Sequence, residues 1–137
     1  MHSMADICVL DTHALIWYLE GNPKLGDRAK AVMDDSGSVM VLPMIALAEA
    51  LFIVERGKTS IPDVQTLLNR VDSDPRITIY PLNREVLDKT LDLQVIPEMH
   101  DRQIVATTLI LASKGKSAEL LTKDTVLVSS KSVTTIW

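Results

Sequence analysis

Short apolar runs alternate along this chain with amphipathic stretches, and that alternation restricts it to an α/β fold. Ile7-Cys8-Val9-Leu10 is apolar throughout, as a parallel strand buried on both faces must be. Residues 38–42 are short and rich in β-formers, residues 76–80 alternate, and residues 118–121 and 133–137 supply two further short strands. Helical patterns lie between them. Residues 14–19 carry Leu15, Ile16, Trp17 and Tyr18 and stop at Glu20-Gly21-Asn22-Pro23, and residues 25–35 place Leu25, Ala29, Val32 and Met33 at helical spacing. Pro43 suits the first position of a helix that runs to about Arg56, with Gly57 as its stop. Ile61-Pro62-Asp63 opens a helix striped by Val64, Leu67, Leu68 and Val71, and Asn83 reads as the cap of residues 84–93, with Val86, Leu87 and Leu91 inward. After Pro97, residues 99–113 form a helix closed by Gly115. Strands separated by helices run parallel through right-handed crossovers, which predicts a three-layer α/β/α domain around a central parallel sheet of about five strands.

At 137 residues the chain suits one domain, residues 1–137. A formal charge of −4 argues against a constitutively basic nucleic-acid binder and leaves room for a local basic rim. Cys8 is alone, so it reads as a small core residue in a reducing compartment, and a cytoplasmic protein is expected. Neither a signal peptide nor a membrane span is expected, because no run approaches the roughly 18 apolar residues required. Residues 1–3, ahead of Met4, read either as an artificial tag remnant or as a native start.

Four carboxylates carry the chemistry. Asp11 ends the first strand, and in an open α/β sheet ligands bind beyond the carboxyl ends of the strands. Either Asp11 or Thr12 also suits the cap of the next helix, with Thr12 the more economical choice once Asp11 is assigned to a site. Glu49 is the only charged residue between Pro43 and Val54. Its helical neighbours Ile45, Ala46, Phe52 and Ile53 place it in the stripe expected to pack on the sheet, where a carboxylate must be paired, protonated or metal-bound. A buried ion pair or a place at the stripe's edge is the competing reading. Asp101 opens the helix of Ile104, Val105, Thr108 and Leu109, where the helix dipole alone could account for it. Asp124 lies just past a strand end, beyond Thr122-Lys123, as a site acid or a loop or cap acid.

Four acids brought to one end of a sheet would repel one another unless a cation held them, and an all-oxygen set suits Mg²⁺ or Mn²⁺. Zinc is disfavoured, because His2, His13 and His100 show no ligand spacing and there is one cysteine. His13 reads as a packed helix residue and His100 as a helix-start residue. Trp17 and Tyr18 read as core rather than interface.

Asp11-Thr12-His13-Ala14-Leu15-Ile16-Trp17, Glu49 within its apolar helix, Asp101-Arg102-Gln103-Ile104-Val105-Ala106 and Thr122-Lys123-Asp124 together resemble the PIN-domain family. The likeness is closest to the VapC-type ribonuclease toxins of bacterial and archaeal toxin–antitoxin pairs, and it runs from Val9 to Trp137. It implies a three-layer nuclease fold, a Mg²⁺ or Mn²⁺ site and hydrolysis of RNA phosphodiester bonds. Asp11, Glu49, Asp101 and Asp124 match the four acidic positions, as catalytic and metal-holding residues. Thr122 matches a hydroxyl position near the site, and Glu98 a possible accessory acid. Pro43-Met44 stands where a polar residue is often found. The same resemblance implies a homodimer and a protein antitoxin laid over the acids. Lys123 and Arg102 adjoin site acids and are candidates for phosphate contact.

Two rivals built on a strand-end aspartate fit less well. A dehalogenase-like phosphatase needs a second Asp two residues after Asp11, where His13 stands, and a receiver domain needs an Asp after the third strand, yet residues 76–83 contain no acid. A catalytically silent PIN scaffold that only binds RNA or protein is the remaining alternative, and the presence of all four acids speaks against it.

Overall fold

The computed structural model describes residues 5–137, so the reading of residues 1–3 lies outside it. The elements run β1 (Ile7–Leu10), α1 (Thr12–Glu20), α2 (Asp27–Asp34), β2 (Met40–Pro43), α3 (Met44–Glu55) and α4 (Val64–Ser73). They continue with β3 (Ile77–Tyr80), α5 (Arg84–Thr90), α6 (Met99–Ser113), β4 (Ala118–Leu121), α7 (Thr125–Ser130) and β5 (Thr134–Ile136). All strand pairings are parallel, in the order β3-β2-β1-β4-β5. The chain works outward from β1 to β3 and then returns to the other side of β1. Right-handed crossovers before and after that reversal fall on opposite faces, which produces the three layers. Their reversal also leaves a crevice at the carboxyl ends of β1 and β4.

Local chemistry explains most of the boundaries. Asp63 and Asn83 each accept the backbone N–H three residues on, from Thr66 at 2.7 Å and Val86 at 3.0 Å, and so begin α4 and α5. Gly21, at φ 66°, ends α1 in a left-handed turn whose N–H returns to the Trp17 and Tyr18 carbonyls. Every residue of β1 is buried between the layers, and Cys8 is a free thiol 1% exposed, as its place in the strand predicts. Burial pushes that thiol up to about 11, which keeps it protonated at neutral pH.

Two expectations need correction, and one helix was not foreseen. The α5 helix stops at Thr90, and the next residues close tighter turns, with the N–H groups of Leu91, Asp92 and Leu93 reaching carbonyls three residues back. That winding brings Leu93 inward and leaves Leu87 and Leu91 exposed. Residues 125–130 form α7, a helix that the β-branched sequence Thr-Val-Leu-Val conceals and that ends on Lys131 in the left-handed region rather than on a glycine. Finally, Pro43 ends β2 and precedes α3 instead of lying inside the helix.

Trp137 packs against Gly26, where an added Cβ would lie 2.4 Å from the Trp137 carbonyl carbon and 2.5 Å from its indole. A Gly26→Ala substitution must therefore displace the C-terminal residue. Chemical denaturation is expected to show a loss of about 1–3 kcal/mol.

Candidate active site at the carboxyl ends of β1 and β4

The sheet order brings the strand-end acids together. Asp11 follows β1 and Asp124 follows β4, and the two strands pair through Leu10 and Leu121. Glu49, midway along α3, and Asp101, in the first turn of α6, face the same space. All four line one cleft of about 320 Å³, floored by Ile53, Ile104 and Leu127. Residues from four distant stretches of sequence thus converge.

Their hydrogen bonds reverse one expectation. Asp11, not Thr12, caps α1, its Oδ1 accepting the Ala14 N–H at 2.7 Å. Thr12 is itself the first helical residue, and its hydroxyl donates to Glu49 Oε1 at 3.0 Å, joining α1 to α3. Asp124 is both cap and cleft residue, with Oδ1 accepting the N–H groups of Val126 at 2.9 Å and Leu127 at 3.2 Å. Thr122 is 1% exposed and does not line the cleft. Its hydroxyl accepts the Asp124 N–H at 3.1 Å and so helps to set the turn that carries Asp124, while its nearness to Asp11 eases the ionisation of that carboxyl.

Glu49 sits at the margin of the apolar stripe rather than within it. The face of α3 turned to the core is Ala46, Leu47, Ala50 and Val54, while Phe52 is 55% exposed and carries the Arg56 guanidinium 5.3 Å above its ring. An almost wholly apolar helix gives no sequence cue to which flank is buried, and here the carboxylate flank borders the cleft.

The acids feel one another. Asp101 is pushed up to about 6, first by burial and then by the charges of Asp124, Glu49, Glu98 and Asp11. Asp11, 8% exposed, is raised chiefly by burial, with opposition from the Thr122 and Ala14 hydrogen bonds and from His13. A cation in the cleft would relieve that cost, and a set of carboxylate oxygens is the chemistry Mg²⁺ and Mn²⁺ take. Among the described residues no three His, Cys, Asp or Glu side chains crowd onto one point. A cation bound in the cleft would therefore be held by fewer than three of these carboxylates directly, which a hydrated ion such as Mg²⁺ tolerates.

A family model for the PIN domain matches residues 8–129. The chain belongs to the PIN domain family. PIN domains are generally nucleases and generally use divalent metal ions. Among solved structures, VapBC2 from Rickettsia felis bound to a promoter DNA fragment is similar at TM-score 0.67 and 16% identity, covering 95% of this chain and 97% of that one. FitAcB from Neisseria gonorrhoeae is similar at TM-score 0.67 and 18% identity, covering 95% and 96%. FitAB bound to an IR36 DNA fragment is similar at TM-score 0.54 and 20% identity, covering 94% and 93%. At such identities these likenesses establish the fold. No curated protein matches the sequence.

Around the acids of this PIN domain, the neighbours separate into two groups. Lys123 lines the cleft, whereas the Arg102 Nε donates to the Ile96 carbonyl at 2.5 Å and straps the loop before α6. Glu98 and His100 are exposed and outside the lining, although the Glu98 charge is felt by Asp101. Trp17, Trp137 and His13 do line it. His13 is exposed rather than packed, and Trp17 is half-buried, packed against the core as expected while it also lines the cleft. The spacing of His13 and Trp17, four residues apart on α1, was the available signal that they share a face.

Proposed function

We propose that this PIN domain is a Mg²⁺- or Mn²⁺-dependent ribonuclease and the toxin of a VapBC-type toxin–antitoxin pair. The observation that carries the reading is the convergence of Asp11, Glu49, Asp101 and Asp124 on one cleft at the switch point of the sheet. Asp11, Asp101 and Asp124 would hold the cation, directly or through bound water, with Glu49 as a further holder or as the group that orients the attacking water. When bound, a divalent cation supplies polarisation of a phosphate oxygen and a water of lowered pKa. Asp11 and Asp124 are held in place by the capping bonds that start α1 and α7. The Thr12 hydroxyl fixes the Glu49 carboxylate, and the Lys123 ammonium meets the RNA backbone, so affinity falls as salt rises. No serine, cysteine or histidine nucleophile is required.

The likeness to VapBC2 supports an antitoxin as protein partner. A homodimer and a cytoplasmic location complete the proposal. Among the described residues no helix is long and apolar enough to cross a membrane.

Incubating the purified chain with single-stranded RNA and Mg²⁺, Mn²⁺ or EDTA tests the activity. Cleavage is expected with either metal and not with EDTA; RNA left intact under every metal condition contradicts the reading. Thr12→Val tests the positioning of Glu49. Loss of that hydroxyl is expected to lower cleavage roughly 10- to 100-fold, the usual range for a partner of a metal-site ligand, while stability changes by only about 1 kcal/mol.

A further inference from the structure

We propose that the wall formed by Trp17, Trp137, His13 and Lys123 is a nucleobase-stacking subsite, which seats an unpaired base beside the scissile phosphate. This rests on the ribonuclease reading for the position of the phosphate, and on the wall itself for the base. The four side chains line the cleft together with the acids. Trp17 and Trp137 meet edge to face, with centroids 5.8 Å apart at 70°. The His13 ring lies 5.1 Å from Trp17, and the Lys123 ammonium stands 4.8 Å from the centre of the same indole. Lys24 approaches that ring as well, at 5.8 Å.

Two features separate this group from ordinary packing. First, the rings line the same cleft as the four carboxylates, so Trp17 and Trp137, which pack against the core, also present themselves beside the acids rather than being enclosed. Second, the wall joins π-surfaces to an ammonium, the combination by which proteins hold single-stranded nucleic acid without reading its sequence. A base stacks on the aromatic side as the Lys123 ammonium, which stands over the Trp17 ring, swings from it to the phosphate of the same nucleotide. A base held in a duplex stack has neither face free for the wall.

The chain contains only two tryptophans, and both belong to this wall, so tryptophan emission, excited where tyrosine does not absorb, reports on the subsite alone. The test titrates a mixed-sequence single-stranded RNA decamer into Asp11→Asn protein with Mg²⁺, which keeps the RNA uncut, and follows both tryptophan emission and the anisotropy of labelled RNA. Quenching is expected with the single strand and not with the same sequence annealed to its complement. Trp17→Leu is expected to weaken the Kd at least about tenfold, and Trp17→Phe to retain most of the affinity. Circular dichroism confirms that each variant is folded, and Trp137→Leu gives an independent variant if Trp17→Leu is not. In cleavage by the otherwise unaltered chain, an abasic nucleotide beside the cut site should lower kcat/KM by a similar factor, whereas Trp17→Leu should no longer distinguish abasic from intact RNA.

RNA binding without quenching, equal affinity for Trp17→Leu, or no binding at all would overturn the subsite. A wall that serves a protein partner instead would produce the first or the last of these results. Quenching by single-stranded RNA in a chain that never cuts RNA would leave the subsite standing and defeat the ribonuclease reading. Cleavage without quenching would do the reverse.

Discussion

Asp11→Asn is expected to yield a folded protein that no longer cleaves RNA. The amide oxygen of asparagine can still accept the Ala14 N–H, so the cap of α1 survives, and Asn is as good an N-cap as Asp. What disappears is the charge, at a position only 8% exposed where burial already disfavours it. Unfolding in EDTA should therefore show a Tm equal to or above that of the unaltered chain. Cleavage in Mg²⁺ should fall at least about 100-fold, equivalent to about 2.7 kcal/mol of transition-state stabilisation, the loss expected from the cation-holding role proposed for Asp11. Asp11→Ala makes the contrast: it removes the cap as well and should cost roughly 0.5–2 kcal/mol of stability. An active Asp11→Asn enzyme would show that the residue is a cap and nothing more.

The second large effect is the dependence of stability on pH and metal. The Asp101 carboxyl stands at about 6 in the folded chain, against 3.8 ordinarily. Between those values the folded protein keeps a proton that the unfolded chain has released. The stabilisation linked to that proton is complete below about pH 4 and is lost as pH rises through 6. Asp11, also raised, acts in the same direction. The Tm of the metal-free protein is thus expected to fall as pH is raised from 5 to 7, and Asp101→Asn should flatten the slope. Mg²⁺ should act most strongly above pH 6, where the carboxylates are ionised. At a hundredfold excess over its Kd it contributes about 2.7 kcal/mol, a rise in Tm on the order of 10 °C for a domain of this size. A metal-free Tm that climbs from pH 5 to 7 would contradict this electrostatic account.

Much of this architecture is written locally. The uninterrupted apolar run of β1, the Asn83 cap and the Gly57 stop each act over a few residues, and the parallel sheet follows from their alternation. Asp11 and Asp124 were legible as strand-end acids for the same reason. The misplacements arise where tertiary contacts decide. Which of Asp11 and Thr12 caps α1 depends on Glu49, 37 residues away, which draws the Thr12 hydroxyl to itself. The rotation of α3 that sets Glu49 at the margin of its stripe is undetermined in a helix apolar on nearly every side. The aromatic wall needs β5 to carry Trp137 next to α1, and no sequence spacing connects residue 137 with residue 17. Helix α7 was hidden because its β-branched residues favour strand while the Asp124 cap favours helix, and the cap prevailed.

The most direct test of the central claim is anomalous diffraction from crystals of the chain soaked in Mn²⁺ near pH 7.5. A manganese peak is expected inside the cleft, within direct or water-bridged reach of Asp11, Glu49, Asp101 and Asp124, and is expected to vanish in Asp11→Asn crystals. A peak elsewhere on the molecule, with none in the cleft, would contradict the claim.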